Sequence, residues 1–167
     1  MNNPKQKLSM SNPWHLLAIG FGSGLSPWVP GTMGTLASVP FALLLSGLSP
    51  AFYALIVGLA CVVGVKICDI TARDMGVHDH GSIVWDEFAG FWITMLPVIF
   101  YAPSVLDWHY WLTGFVLFRF FDMLKPWPIS WLDKKVHGGL GIMVDDIVAG
   151  VVSALCLLAI AQYAGWW

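Results

Sequence analysis

Five apolar stretches, at residues 32–48, 51–66, 83–102, 108–121 and 147–163, dominate this chain and push its ionisable residues to the junctions between them. Only 11% of the 167 residues are charged, where a soluble domain of ordinary composition carries about 25%. Too few charges remain to cover a globular surface, so the solvent for most of the chain is lipid. In lipid every backbone polar group needs an internal partner, which leaves helices or closed barrels. Runs this long and continuous are not barrel strands. The sequence therefore predicts one all-α, membrane-embedded domain over residues 1–167, a polytopic helical bundle with about five spanning or partly spanning helices.

The five stretches are not equally good spans, because crossing needs about 20 residues, with a range of roughly 17–25. The last meets this, the second is marginal, and the third does so only with Asp86 and Glu87 counted inside it. The fourth is free of charge only over 108–118. Ahead of them, residues 14–21 are short and bounded by Pro13 and Gly22, and are expected to be interfacial or re-entrant.

Basic residues orient the bundle. Lys5 and Lys7 precede the first stretch, Lys66 and Arg73 flank the second connection, and Arg119, Lys125, Lys134 and Lys135 surround the fourth. All eight fall on alternate connections, as the positive-inside rule requires. The expectation is a multi-pass membrane protein with its N-terminus in the cytoplasm and its C-terminus outside. Trp14, Trp28, Trp85, Trp127 and Trp131 then fall at the inner interface, and Trp108, Trp111, Trp166 and Trp167 at the outer one, as an aromatic belt predicts.

In that frame the acids converge. Asp86 and Glu87 open the third helix, Asp122 closes the fourth, and Asp145 and Asp146 open the fifth, all at the cytoplasmic boundary. Ionisable groups beside hydrocarbon are expensive and are functional candidates. Two of the sites resemble each other, IVWDEFAG at 83–90 and IMVDDIVAG at 142–150. Each sets two adjacent acids ahead of small residues that let helices approach closely. Adjacent positions diverge by about 100° on a helix, so one acid of each pair can face inward while the other caps or lies sideways. Capping and dipole stabilisation explain one such pair, but five acids on one face exceed what capping needs.

An oxygen-only cluster at a water boundary suits Mg²⁺, which binds through one or two carboxylates plus substrate phosphate. His78 and His80, in a loop, read as substrate contacts rather than zinc ligands. Arg119, Asp122 and Lys125 are spaced by three before Pro126; beside a metal, Arg119 and Lys125 would hold a phosphate. Gly31, Thr32, Gly34 and Thr35 at the start of the first helix offer amides and hydroxyls to an anion, although the lysine of a P-loop is missing. Cys68 is followed by Arg73 at the fifth place rather than the sixth that a cysteine phosphatase needs, and no GxSxG elbow is present. Without an obvious nucleophile, metal-activated water is favoured. Cys61, Cys68 and Cys156 have no CxxC spacing and read as small apolar filling.

Four stretches, SNPWHLLAIGFGSGLSPWVPGTMGTLAS at 11–38, DMGVHDHGSIVWDEFAGFWIT at 74–94, FRFFDMLKPWPISWLD at 118–133 and VHGGLGIMVDDIVAGV at 136–151, together resemble the phosphatidylglycerophosphatase A family of small bacterial inner-membrane lipid phosphatases. The resemblance implies Mg²⁺-dependent hydrolysis of phosphatidylglycerophosphate to phosphatidylglycerol and inorganic phosphate, in phospholipid biosynthesis. It places the family's acidic motifs on Asp86, Glu87, Asp122, Asp145 and Asp146 as catalytic and metal-binding residues, and its basic positions on Arg119 and Lys125. It implies a phospholipid as partner and no nucleic acid, and leaves the oligomeric state open. The rival reading is a small cation transporter or channel subunit with acids along a path; the outer halves of the stretches hold little that is polar beyond Thr94 and Thr113.

Overall fold

A computed structural model describes residues 4–166. Among the described residues every regular element is a helix. A 3₁₀ turn, Pro4–Lys7, leads to α1 (Pro13–Ala18) and a second 3₁₀ segment, Gly20–Leu25. Then follow α2 (Pro30–Leu45), α3 (Pro50–Met75), α4 (Trp85–Thr94), α5 (Leu96–Tyr101), α6 (Trp108–Leu124), α7 (Ile129–Lys135) and α8 (Gly138–Tyr163).

Start and stop chemistry explains the boundaries. Pro30 and Pro50 begin α2 and α3, where a missing N–H costs nothing. Ser49 caps α3 through the Phe52 N–H, and Gly76, at φ 74°, closes it by returning its N–H to Ala72 and Arg73. Pro126 stops α6 one residue after Lys125, which takes a left-handed φ of 40° at its C-cap.

Helix lengths depart from the apolar runs in three places. The second stretch, marginal by hydropathy, is the 26-residue α3, which runs past Lys66 to Met75. The third is broken at Met95 into α4 and α5, because Pro97 cannot donate to the preceding turn and its ring crowds that turn's carbonyl. The fifth begins nine residues early, at Gly138, so Asp145 and Asp146 lie two turns inside α8 rather than at its start. Capping is thereby excluded for that pair. Among the described residues two helices, α3 and α8, are long and apolar enough to cross a membrane.

The helix α8 runs through the middle, packed against α3, α4, α6 and α7. Buried indoles and phenols lock the bundle. Tyr53 donates to the Trp92 carbonyl, Trp92 to the Ser38 carbonyl and Trp85 to the Ala60 carbonyl, each at 3.1 Å. The outward faces remain apolar: Val62 is 72% exposed and Leu44 78%.

The aromatic belt needs correction at Trp85 and Trp111. Both turn inward because an indole N–H finds a carbonyl there, Ala60 for the first and Val105 (2.7 Å) for the second. Trp28, Trp108, Trp127 and Trp131 are exposed, and Trp14 lies beneath the Lys66 ammonium. Trp167 lies outside the described residues.

Candidate active site

The two similar motifs face each other. A Cβ added at Gly150 would meet the Gly90 carbonyl oxygen, and one added at Gly90 would come within 2.7 Å of the Asp146 carbonyl. The glycines therefore permit backbone-to-backbone approach of α4 and α8. Thr94 bridges the seam, its hydroxyl donating to the Gly90 carbonyl at 3.0 Å and reaching that of Gly150 at 3.4 Å. One turn toward the N-termini of α4 and α8, this contact brings the acids together.

Asp86, Glu87 and Asp146 each place a carboxylate oxygen within 4.8 Å of the other two. Asp86 Oδ1, Glu87 Oε2 and Asp146 Oδ2 are buried without a hydrogen-bond partner. Buried acceptors are ordinarily satisfied, and three converging orphans of one charge are what a cation would satisfy. The donors are all oxygen, the set Mg²⁺ takes. Val84 is the N-cap of α4 and offers no side-chain bond, so neither Asp86 nor Glu87 is spent on capping. In the first turn no preceding turn confines these two side chains, and both reach inward. The pair on α8 divides as a 100° offset requires. Asp146 joins the cluster, and Asp145 turns to Lys125.

Asp122, in the last turn of α6, lies within hydrogen-bonding reach of Asp146 and forms a 2.5 Å ion pair with Arg119. Arg119 also donates to the Thr35 hydroxyl at 3.3 Å, and Thr35 in turn donates to the Gly31 carbonyl at 3.0 Å. The guanidinium thus spans α2 and α6. A Cβ on Gly31 would strike Glu87 Oε1 and sit 3.2–3.3 Å from both terminal nitrogens of Arg119, so only glycine leaves room there. Gly31 and Thr32 lie in the first turn of α2 beside the acids, where amides are unsatisfied by the helix. Gly34 is oriented elsewhere: it packs on Val84.

Lys125 is held by Asp145 at 2.5 Å and Asp133 at 2.8 Å. Burial alone would push its pKa down, but the bonds to Asp133 and Asp145 outweigh that and raise it. Lys125 reaches a phosphate only by releasing one of these acids, and as it stands it positions Asp145. The two acids, with His78, Asp79 and Gly141, line a polar cavity of about 200 Å³. His78 also meets His137 edge-on. His80 is committed locally, its Nδ1 accepting from the Ser82 N–H at 3.1 Å. Sequence reasoning passed over Asp79, Asp133 and His137. Asp79 stood between two histidines already singled out, and Asp133 was tied to Lys125 only by the turn through Pro126 and Pro128. Asp69 is structural, pairing with Arg73 at 2.6 Å and accepting from the Gly139 N–H at the start of α8.

The sequence profile of phosphatidylglycerophosphatase A matches residues 16–161. The phosphatidylglycerophosphatase A of Escherichia coli (strain K12) is 59% identical over 95% of this chain and 90% of its own length. This chain belongs to the phosphatidylglycerophosphatase A family. The Haemophilus influenzae phosphatidylglycerophosphatase A is 48% identical over 97% of this chain and 96% of its own. A Bacteroides thetaiotaomicron relative, provisionally named a phosphatidylinositol-3-phosphatase, is 35% identical over 89% of this chain and 92% of its own. No solved structure matches the chain. As a phosphatidylglycerophosphatase by family, the protein is a phosphoric monoester hydrolase, and the converging groups at α2, α4, α6 and α8 are the place to seek its chemistry.

Proposed function

We propose that this chain removes the terminal phosphate of phosphatidylglycerophosphate, yielding phosphatidylglycerol and inorganic phosphate, as one domain in the bacterial inner membrane with its site on the cytoplasmic side. The observation that carries the reading is the set of orphaned buried oxygens of Asp86, Glu87 and Asp146 beside the Arg119 guanidinium. Asp86, Glu87 and Asp146 would hold Mg²⁺, with Asp122 and Asp145 adjoining; such an ion supplies positive charge that polarises a phosphoryl group. Family membership and the names of the close relatives support the substrate.

The chain's own groups have separable tasks. Arg119, oriented by Asp122 and Thr35, offers planar donors to phosphoryl oxygens. The first-turn amides of α2 at Gly31 and Thr32 add donors to the same oxygens. Charge stabilisation of this kind is the main contribution a protein makes to phosphoryl transfer. Asp86 or Glu87 accepts the proton of the attacking water. Lys125 holds Asp145 in place. His78 and Asp79 rim the polar cavity beside Asp145.

For the membrane frame, α2, α3, the broken α4–α5 pair, α6 and α8 would supply five crossings. The 16 residues of α2 and 17 of α6 extend about 24–26 Å, so they cross only most of a hydrocarbon core about 30 Å thick. The test is phosphate release from phosphatidylglycerophosphate by purified protein in detergent, with Mg²⁺ and with chelator. No release, or near-normal release from Asp86→Asn, Asp122→Asn and Asp146→Asn alike, overturns the assignment.

A further inference from the structure

Arg119 has a second environment. Besides its bonds to Asp122 and Thr35, it borders an apolar cavity of about 430 Å³ on the outer face of α6, with Val116 and Phe120 on its wall. A further apolar cavity of about 290 Å³ lies between α2 and α6, lined by Leu36, Val39, Trp111 and Leu112. Phe115 lines both, so the two adjoin at that side chain and together form a groove along α6. Trp111, Phe115 and Arg119 follow one another at intervals of four along α6 and form a ridge beside the groove. From Trp111 to Arg119 the groove runs about 12 Å, most of the roughly 15 Å depth of one leaflet of a 30 Å hydrocarbon core.

The groove is apolar along its length, and the aliphatic stem of Arg119 closes one end with the guanidinium buried behind it. That end is where α2 and α6 are joined through the Arg119–Thr35 bond, and beyond it lie Gly31 and the acids. Arg119 Nε is buried there without a partner, although Nη1 is engaged by Asp122 and Thr35. A molecule with a hydrocarbon tail joined to an anionic head matches this profile, its tail along α6 and its phosphate at the guanidinium.

We infer that the seam between α2 and α6 seats one acyl chain of the phospholipid substrate and is its lateral entrance to the carboxylate cluster. The inference rests on the lipid phosphatase reading above. It goes further by fixing which of the helix faces the substrate uses. Lipid tails are as apolar as the groove, so the seat contributes little to partition. Its contribution is position: a chain held along α6 fixes how far the terminal phosphate extends past Arg119.

The experiment uses phosphatidylglycerophosphate carrying a photoreactive diazirine at mid-chain, with an equally labelled phosphatidylcholine as comparison, at equal mole fraction in mixed micelles with the full-length protein. The headgroup-bearing probe is expected to label the α2 and α6 peptides about tenfold more than the choline lipid does, to be displaced by unlabelled phosphatidylglycerophosphate, and to lose this excess in Val116→Trp, which fills the groove. Equal labelling by both probes, or label spread equally over Val62 on α3 and Leu155 on α8, overturns the seat. Hydrolysis separates the seat from the reading beneath it. Wild-type release of phosphate tests the reading. The seat requires Val116→Trp to lower kcat/KM about tenfold on the diacyl lipid while changing it less than about twofold on the deacylated headgroup. An equal fall on both substrates, or a change of oligomeric state in Val116→Trp showing that the groove receives a second copy, refutes it.

Discussion

Gly150 of α8 rests on the carbonyl of Gly90 in α4 with no room for a Cβ between them, and this one contact sets the spacing of acids that lie 60 positions apart in the chain. Asp146 is four residues before Gly150, and Asp86 is four before Gly90. One turn of helix separates each acid from its glycine, so drawing the glycines together draws the carboxylates into one cluster.

Gly150→Ala therefore tests more than packing. The added methyl must push α4 and α8 apart, at a cost of about 1–3 kcal/mol for overpacking, and a shift of about 1 Å at the acids costs on the order of 100-fold in rate. Thermal unfolding in detergent and phosphate release should both fall, with activity the more sensitive.

Divalent-cation binding can be followed without turnover. If Asp86, Glu87 and Asp146 hold Mg²⁺, the ion stabilises the fold by about 2.7 kcal/mol at 100 times its Kd. The unfolding temperature should rise with MgCl₂ and not with NaCl of equal ionic strength, and Asp146→Asn should abolish the rise. A wild-type protein insensitive to Mg²⁺ would remove the metal from this cluster.

Arg119→Lys keeps the charge and discards the planar guanidinium, whose Nη1 bonds both Asp122 and Thr35. Loss of paired donors to a phosphoryl group is expected to lower kcat by roughly 100-fold, with expression and unfolding temperature nearly unchanged. Retention of half or more of the wild-type rate would assign Arg119 to structure alone.

Lys125 invites a double-mutant cycle. Lys125→Met leaves Asp145 and Asp133 without their cation, whereas Lys125→Met with Asp145→Asn removes both ends of the closer pair. The single variant should be the less stable, by roughly 1 kcal/mol for a pair partly open to solvent. The pKa of Lys125 is raised in the folded protein. Its contribution is therefore fully present below the unfolded value of about 10.4 and is lost only as pH climbs through the higher folded value. No change in stability between about pH 6 and 9 should trace to the titration of Lys125 itself, so over that interval the profile of Lys125→Met with Asp145→Asn should run parallel to that of Asp145→Asn alone.

Much of this protein was legible from residue order, because the chain separates its apolar and charged residues along its length. The apolar runs, the basic residues on alternate connections, the two acid pairs with their trailing glycines and the family resemblance all lie in local sequence. Helix extents were harder to read. An apolar run marks only part of a helix, and the start of α8 at Gly138 and the tail of α3 beyond Lys66 continue as helix outside it.

What only the tertiary structure decided is how the charges are shared. Sequence proposed five acids and two bases as one group, and the fold divides them. Asp86, Glu87 and Asp146 converge with unpartnered oxygens, Asp122 orients Arg119, and Asp145 joins Asp133 in holding Lys125. A charge's partner is set by which helices touch and through which face, and that depends on contacts such as Gly90 with Gly150, between residues far apart in the chain.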